Sequence, residues 1–159
     1  MKANVIEVIP EKCTGCRLCE MACSFHHNQE CSTAKSRIKI LQHSKWVFDC
    51  PLLCIQCVEA PCMESCPTQA LSRDEATGVV VLNAEVCIGC GECLTACPLR
   101  ALALDEERGT ILKCDLCGGD PECVKWCPQE ALILKEVDIN SPARKAFAVK
   151  VSKYLEAVG

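Results

Sequence analysis

Apolar residues occur along this chain in short runs, and the runs predict short secondary-structure elements. Val79-Val80-Val81-Leu82 has the length and β-branched composition typical of a buried strand. A second strand is predicted from Ala70-Leu71, and the acidic turn Asp74-Glu75 and Gly78 lie between the two. No 18 apolar residues run together, so the pattern predicts no membrane-spanning helix.

The end of the chain has a helical pattern instead. Ser141-Pro142 combines an N-cap residue with a proline suited to the first helical position. Apolar residues then recur at helical spacing, at Phe147, Val151, Tyr154, Leu155 and Val158. The sequence therefore predicts a C-terminal amphipathic helix within a tail over residues 137–159. Such a helix either covers its own domain or binds a catalytic subunit or a second copy of the chain.

A basic segment lies between Ser24 and Cys50. Its apolar positions Ile38 and Ile40 alternate with basic residues, which are Lys35, Arg37 and Lys39, with Lys45 beyond them. This alternation predicts an exposed strand whose charge differs from that of the acidic remainder. We expect this strand to be a docking face.

Composition shows that apolar packing alone does not organise the interior. The chain has 159 residues, about one domain, and 18 of them are cysteines that inflate the hydrophobic fraction of 50%. Small domains with a sparse core rely on disulfides or metal centres. The N-terminus lacks the features of a secretory signal, which predicts a cytoplasmic location, where dense cysteine favours metal binding. A net charge of −4 argues against nucleic-acid binding.

The cysteines belong to a repeated unit. Cys66, Cys97 and Cys127 each begin the sequence Cys-Pro-x-x-Ala-Leu. Each of these cysteines closes a group of four, and a further group without the proline precedes them. The four motifs are Cys13, Cys16, Cys19 and Cys23; Cys54, Cys57, Cys62 and Cys66; Cys87, Cys90, Cys93 and Cys97; and Cys114, Cys117, Cys123 and Cys127.

This spacing is typical of cubane iron-sulfur clusters. Three thiolates on one short loop can hold three iron corners of a 4Fe-4S cluster, while the fourth cysteine points away and ligates a different cluster. We expect this fourth cysteine at the start of a helix, with the proline redirecting the chain into the following strand. The arrangement is that of bacterial ferredoxins, and four motifs predict four 4Fe-4S clusters.

Other uses of dense cysteine fit the spacing less well. Structural zinc uses well-separated Cys-x-x-Cys pairs, whereas two motifs here are tight triplets, although a zinc-structured interaction module stays a remote alternative. A disulfide framework needs an oxidising compartment. A radical-forming cluster would show a different triplet spacing, which is absent.

The motifs can be paired in two ways, the first with the second and the third with the fourth, or the inner two together and the outer two together. The segment from Cys66 to Cys87 resembles the middle of a small two-cluster ferredoxin, which favours the second way. The ligand sets are then Cys13, Cys16, Cys19 and Cys127 for cluster 1; Cys23, Cys114, Cys117 and Cys123 for cluster 2; Cys54, Cys57, Cys62 and Cys97 for cluster 3; and Cys66, Cys87, Cys90 and Cys93 for cluster 4.

The predicted fold class is α+β, with two nested bacterial-ferredoxin-like dicluster units and a C-terminal helix. The inner unit covers about residues 50–105. The outer unit combines about residues 1–49 with 106–136, and together they form a four-cluster polyferredoxin domain over residues 1–136.

Across about residues 5–135, the four motifs in this order resemble the iron-sulfur subunits of molybdenum and tungsten oxidoreductases. Four shorter segments resemble the small subunit of tungsten aldehyde oxidoreductases more closely. They are residues 22–27 with Ser36-Arg37-Ile38 downstream, and Lys113 to Cys117 followed by Gly119-Asp120-Pro121. The tungsten-containing class II benzoyl-CoA reductase has a similar subunit. Cys23 departs from the pattern, because Ser24 rather than proline follows it.

The resemblance implies an electron-transfer subunit that is not an enzyme on its own. Single electrons would pass between a large tungsten- or molybdenum-pterin catalytic subunit and ferredoxin or a flavin/NAD-binding subunit. Aldehyde oxidoreductase is the expected complex. The alternatives are a class II benzoyl-CoA reductase, a CO dehydrogenase, a hydrogenase and a formate dehydrogenase.

Several residues outside the ligand sets are candidates for supporting roles. Cys31 and Cys50 are left over, and Cys50 is either a substitute ligand or, as we expect, a buried thiol. His26 and His27 are close enough to Cys23 for an imidazole N–H to reach a cluster sulfur, or else they pack at a helix end. We expect Trp46 and Trp126 to pack in the interior. We expect Lys113 and Lys125 to compensate the negative charge of the clusters.

Overall fold

The computed structural model describes residues 2–42, 49–138 and 149. Its strands are β1 (Lys2–Val8), β2 (Lys39–Leu41), β3 (Cys50–Leu52), β4 (Leu71–Arg73), β5 (Val80–Leu82), β6 (Ala103–Asp105), β7 (Thr110–Leu112) and β8 (Leu132–Asp138). Its α-helices are α1 (Leu18–Asn28), α2 (Pro61–Glu64), α3 (Glu92–Ala96) and α4 (Glu122–Lys125), with 3-10 turns at Pro10–Lys12 and Leu116–Gly119. The result is a small mixed α/β fold with short strands and few helices, as in ferredoxin-like dicluster domains.

The described strands pair as antiparallel two-stranded sheets. Three are formed by strands that are neighbours in sequence: β2 with β3, β4 with β5, and β6 with β7. The fourth joins the first strand to the last, from Lys2 opposite Asp138 to Val8 opposite Leu132. The strands predicted at Ala70-Leu71 and Val79–Leu82 are confirmed as the hairpin of β4 and β5.

The β4–β5 and β6–β7 hairpins use the same turn. Asp74 accepts a hydrogen bond from the Thr77 N–H at 2.7 Å, and its carbonyl accepts the Gly78 N–H at 2.8 Å. Asp105 and Gly109 repeat the second of these bonds at 2.8 Å. Both glycines have a positive φ, at 71° and 64°, a conformation that glycine adopts at little cost. The sequence repeat therefore extends from the cysteine motifs into the hairpins.

Helix α1 is the longest described helix and carries two cysteines of the first motif. Its buried residues lie on one face at helical spacing, namely Cys19, Glu20, Cys23 and Ser24. It ends at Gln29, whose left-handed backbone lets its N–H donate to the Phe25 carbonyl at 2.8 Å. Among the described residues, no helix has the length and apolar character needed to cross a bilayer.

The buried apolar residues gather around the cysteines. One group surrounds Cys19, Cys23 and Cys123 and contains Ile6, Val8, Ile38, Ile40, Leu53, Val79, Leu116 and Leu132. A second surrounds Cys62 and Cys93 and contains Ala60, Leu71, Val80, Leu102 and Ile111. A third packs Leu52, Ile55, Leu99 and Ala101 against Cys54, Cys57 and Cys97. Whatever the cysteines hold is therefore part of the core.

The prediction of an exposed basic strand is wrong. Strand β2 covers only Lys39–Leu41, and Ile38 and Ile40 are buried. Lys35 forms ion pairs with Glu30 and Glu107, at 2.8 and 2.6 Å. Arg37 pairs with Asp115 at 2.7 Å, and Lys39 donates to the Thr33 carbonyl. The carboxylates neutralise Lys35 and Arg37, and Lys39 is bonded to a backbone carbonyl, so this segment does not present a free basic face.

Parts of three predictions lie outside the described residues. Lys45 and Trp46 fall between residues 42 and 49. The predicted C-terminal helix falls beyond residue 138, where only Val149, in helical conformation, is described.

Candidate metal centres

Two cavities in the described part of the chain are each lined by four cysteines. The first has apolar walls that include Val80 and Leu102, and its cysteines are Cys54, Cys57, Cys62 and Cys97. The second has apolar walls that include Ile40 and Leu132, and its cysteines are Cys13, Cys16, Cys19 and Cys127. In each cavity, three cysteines come from one motif and the fourth comes from another.

The remaining motif cysteines form two further groups, and all but Cys90 are connected by their electrostatic effects on one another. Burial raises the pKa of the Cys93 thiol to about 11, and the Cys62, Cys66 and Cys87 thiolates contribute. Cys90 lies in the same loop as Cys93 and is exposed. Burial also raises the pKa of Cys123, and the thiolates that contribute include Cys114, Cys23 and Cys117.

The three Cys-Pro sequences fold into the same turn. The residue before each alanine has a positive φ and donates its N–H to the cysteine carbonyl; these residues are Gln69, Arg100 and Glu130. The next N–H, from the alanine, donates to the cysteine Sγ. The N···S distances are 3.2 Å for Ala70, 3.4 Å for Ala101 and 3.3 Å for Ala131. All three alanines are buried, so a larger side chain would have to displace neighbouring core atoms.

The prediction that the fourth cysteine stands at the start of a helix is wrong. Helices α2, α3 and α4 each contain the third cysteine of a motif and end before or at the fourth. The following turn then holds the fourth sulfur. The helix cannot continue through the proline, because proline has no backbone N–H to donate and restricts the conformation of the residue before it.

The sulfur of Cys23 also accepts a backbone hydrogen bond, although no proline follows this cysteine. It lies inside helix α1, is buried, and its Sγ accepts the Arg37 N–H at 3.3 Å. The N–H donor comes from a distant segment rather than from the turn four residues on. This compensates for the departure at Ser24, whose hydroxyl instead accepts the Ser32 N–H at 3.0 Å.

The distances between sulfur atoms distinguish a site for a cubane cluster from a site for a single metal ion. A tetrahedral zinc ion with Zn–S bonds of about 2.3 Å brings its sulfurs within about 3.8 Å of one another. Among the described residues, only His26, His27 and Cys117 offer three potential ligand atoms that all lie within 4.8 Å of each other. No three cysteines meet that limit, so the groups are too open for zinc. Wide groups with N–H donors on sulfur and apolar walls fit 4Fe-4S clusters.

The comparison with protein families agrees with this geometry. A family described as "4Fe-4S dicluster domain" matches residues 44–137, more than half of the chain. The chain belongs to the 4Fe-4S dicluster domain family. A second family, described as "4Fe-4S binding domain", matches residues 6–26 of the same chain, called the dicluster chain below. The chain therefore holds 4Fe-4S clusters.

Curated relatives carry names from electron transport. The polyferredoxin-like subunit of the aliphatic sulfonate oxidoreductase of Pyrococcus furiosus is 45% identical over 111 residues, 70% of the dicluster chain and 64% of the relative. The electron transport protein HydN of Escherichia coli is 41% identical over 86 residues, 50% of the dicluster chain and 47% of the relative. The dicluster chain thus spans about half to two thirds of these relatives' length.

Solved structures give a similar picture over nearly the whole chain. The active-site complex BamBC of benzoyl coenzyme A reductase with zinc contains a chain that is 26% identical to the dicluster chain, with a TM-score of 0.53. The match covers 98% of the dicluster chain and 91% of the BamBC chain. The same complex with benzoyl-CoA gives 27% identity and a TM-score of 0.53, with 97% and 92% covered.

Burial keeps many thiols of the dicluster chain protonated unless metal displaces the proton. Burial raises the pKa of Cys19 to about 12, with a contribution from Glu20. Burial raises the pKa of Cys114 to about 12, and the Cys54 thiolate contributes. Iron must bind thiolates, so cluster insertion releases protons and is coupled to folding.

His27 is the histidine that approaches a cysteine sulfur. Its Nε2 lies 3.7 Å from Cys117 Sγ and 3.6 Å from Asp115 Oδ1. Burial and the Arg37 guanidinium lower the pKa of His27 to about 4, so the imidazole is neutral near pH 7 and carries one N–H. His26 is exposed and packs edge-on against His27, with ring centroids 4.7 Å apart.

Replacing His27 with phenylalanine is expected to make the cluster at Cys117 harder to reduce. The neutral imidazole N–H stabilises added negative charge on sulfur, and one hydrogen bond of about 1 kcal/mol corresponds to about 40 mV for one electron. Potentiometric titration of the loaded protein measures this shift. The comparison variant His26→Ala should shift that potential less, because His26 lies near Cys117 without a hydrogen bond to its sulfur in the described part of the chain. An unshifted His27→Phe protein would contradict the assignment.

Lys113 and Lys125 have different environments. Lys113 is 2% exposed, and its Nζ donates to the carbonyls of Val80 at 3.0 Å and Cys114 at 2.8 Å. Lys125 is exposed and pairs with Asp120 and Glu122, at 2.5 and 2.8 Å. The expectation that Lys125 compensates cluster charge is therefore not supported, because surface carboxylates already neutralise it.

Gln56 is a functional residue that the motif analysis missed. It is buried in the second motif with a φ of 53°, and its amide joins two motifs. Its Nε2 donates to the Cys114 carbonyl at 2.9 Å, and its Oε1 accepts the Val80 N–H at 3.0 Å. A polar residue between two closely spaced cysteines was the available sequence signal.

An apolar groove lies on the outer side of α1 and α4. Phe25 and Trp126 are 53% and 59% exposed there, and Cys31 lines the same groove. The prediction that Trp126 packs in the core is wrong, since α4 turns it outward. Cys50 is buried, with Sγ 3.7 Å from the Pro51 carbonyl oxygen, as expected for a buried thiol.

Proposed function

We propose that this chain is an electron-transfer subunit that holds four 4Fe-4S clusters. Such clusters, when bound, supply low-potential one-electron transfer. The observation that carries the proposal is the grouping of fifteen of the sixteen motif cysteines into four sets, two around cavities and two by mutual electrostatic influence. Cys90 joins the fourth set because it lies in the loop of Cys93. The ligand sets are those predicted from the motifs, with Cys127, Cys23, Cys97 and Cys66 each crossing to another motif's loop.

The proposed organisation is an inner unit over about residues 50–105 nested in an outer unit over about 1–49 and 106–136. The pairing of β1 with β8 supports the outer unit. Cys13 and Cys127 lining one cavity and Cys62 and Cys97 lining the other support the crossed ligation within each unit.

The sets are proposed to form a line in the order 1, 2, 3, 4. Neighbouring sets influence each other through particular thiols: Cys19 acts on Cys123, Cys54 on Cys114, and Cys62 on Cys93. Among the proposed ligands, the exposed cysteines are Cys16 and Cys90, one in each terminal set. Electrostatic influence between neighbouring sets and exposure at both ends suit entry and exit of single electrons.

The proposed partner is a large tungsten- or molybdenum-pterin subunit, with aldehyde oxidoreductase as the first candidate, and electrons pass to ferredoxin or a flavin/NAD-binding subunit. The resemblance of the segments around Cys23 and Cys114 supports it. A class II benzoyl-CoA reductase is the second candidate, favoured by the near-complete match to a BamBC chain. The relative named as a subunit of an aliphatic sulfonate oxidoreductase supports an oxidoreductase complex in general.

Anaerobic purification of the tagged chain from its native host tests the proposal. The expected product is brown, absorbs broadly near about 400 nm, contains about sixteen irons per chain and co-elutes with a larger subunit. Elemental analysis for tungsten and molybdenum with mass spectrometry of that subunit identifies the complex. A colourless, iron-free chain would refute the cluster assignment, and a loaded chain without a pterin subunit would refute the partner.

A further inference from the structure

The Lys113 ammonium is buried at the junction of two proposed cluster sites. Its side chain lines the cavity of Cys54, Cys57, Cys62 and Cys97, and the next residue, Cys114, belongs to the neighbouring set. Its Nζ contacts carbonyl oxygens of Val80 and Cys114, and the Gln56 Oε1 at 3.4 Å. All three contacts are neutral. Within residues 2–42 and 49–138, Lys113 forms no ion pair with a carboxylate.

A buried ammonium without a counter-charge is unfavourable, because it loses hydration and gains only dipolar contacts. The negative charge available at this position is that of the two cysteine sets, since an oxidised cubane with four thiolates carries about −2. Lys113 is thus placed where its charge is compensated only when these sites are loaded. Each added electron strengthens that interaction.

The charges around the sets differ along the proposed line. At the second set, the Arg37 backbone N–H donates to Cys23 Sγ, while Asp115, 2.7 Å away, neutralises the Arg37 guanidinium. The first set instead has carboxylates nearby: Asp49 acts on Cys13, and the buried Glu20 acts on Cys19. Negative neighbours disfavour added electrons, and positive neighbours favour them.

We infer that Lys113 makes the two middle clusters, those at Cys114 and at Cys54, easier to reduce than the first, so that electrons in transit rest there. This inference rests on the proposed four-cluster function. A two-electron oxidation of an organic substrate at the pterin partner delivers two electrons, and the two middle sites accept one each. A one-electron acceptor such as ferredoxin then removes them singly, so the middle of the chain matches a two-electron donor to a one-electron acceptor.

Redox titration of the anaerobic holoprotein, followed by electron paramagnetic resonance, tests this inference. Iron and sulfide are measured first, and then the four reduction steps are resolved in the native protein, Lys113→Met and Lys125→Met. In Lys113→Met, two of the four steps should move to more negative potential while the other two stay in place. Lys125→Met is the matched control, because this lysine belongs to the same motif but is paired at the surface, and it should move none.

A second variant covers the case in which Lys113→Met fails to load iron. Gln56→Glu keeps the size of the side chain and places a carboxylate beside the same ammonium. It should move the same two steps in the same direction. Unchanged steps in a loaded Lys113→Met protein, or in Gln56→Glu if the former does not load, overturn the inference. A native protein with fewer than four clusters contradicts the proposed function instead, and the two failures are therefore distinguishable.

Discussion

Replacing Cys127 with serine should remove the cluster proposed at Cys13, Cys16 and Cys19, although Cys127 belongs to the last motif. Cys127 lines their cavity, and its Sγ is fixed by the Ala131 N–H at 3.3 Å. The expected loss is about a quarter of the iron, with a fall of several kcal/mol in the free energy of unfolding, because loss of a metal centre is among the most destabilising changes. Iron analysis and anaerobic thermal unfolding measure both effects.

Two further variants make this test specific. Cys31→Ser changes an exposed cysteine outside the proposed sets and should alter neither iron content nor melting. Cys23→Ser should also cost one cluster, that at Cys114, Cys117 and Cys123. Full iron content and unchanged melting in Cys127→Ser and Cys23→Ser would show that these cysteines are not ligands. Loss of the cluster at Cys114, Cys117 and Cys123 in Cys127→Ser would show that each motif binds its own cluster without crossing.

Removing all iron should unfold the chain. The buried apolar groups are built around cysteines, and the described strands other than β1 and β8 have only three residues each. Domains are stable by about 5–15 kcal/mol, whereas structural metal sites contribute about 10–16 kcal/mol each in small domains. Anaerobic chelation followed by far-ultraviolet circular dichroism and amide hydrogen exchange should show loss of secondary structure and protection.

Proton uptake should accompany this unfolding. Near neutral pH the released thiolates regain protons, since free cysteine has a pKa of about 8.5 and burial raises the pKa of Cys19 to about 12 in the folded chain. A pH-stat records the uptake in a weakly buffered sample. Refolding with iron and sulfide should reverse its sign. An iron-free chain that keeps its circular dichroism and its protected amides would show that the polypeptide fold is independent of the metal.

Local features of this molecule were predictable from sequence, and contacts between distant segments were less so. The cysteine spacing and the run at residues 79–82 depend on neighbours in the chain, and both the grouping into fours and the β4–β5 hairpin follow from them. The alternation at Lys35 and Arg37 also suggested an exposed strand. That prediction failed because Glu107 and Asp115, far away in sequence, supply the partners.

Helix positions were misjudged for a different reason. The proline after each fourth cysteine was interpreted as following the start of a helix, whereas α2, α3 and α4 end before or at that cysteine. The outward orientation of Trp126 follows from the same short helix, which has only one turn. The Gln56 amide bridge to Cys114 was not predictable, since nothing in the spacing of the motifs shows which loops meet.

The pairing of β1 with β8 has a consequence for how the protein is made. Strand β1 has its partner at residues 132–138 and stays unpaired until the chain has been synthesised through that segment. The outer sheet therefore closes late, after the hairpins between the two strands are available. An exposed β1 would meanwhile be open to pairing with other nascent chains, so slow synthesis favours aggregation at this step.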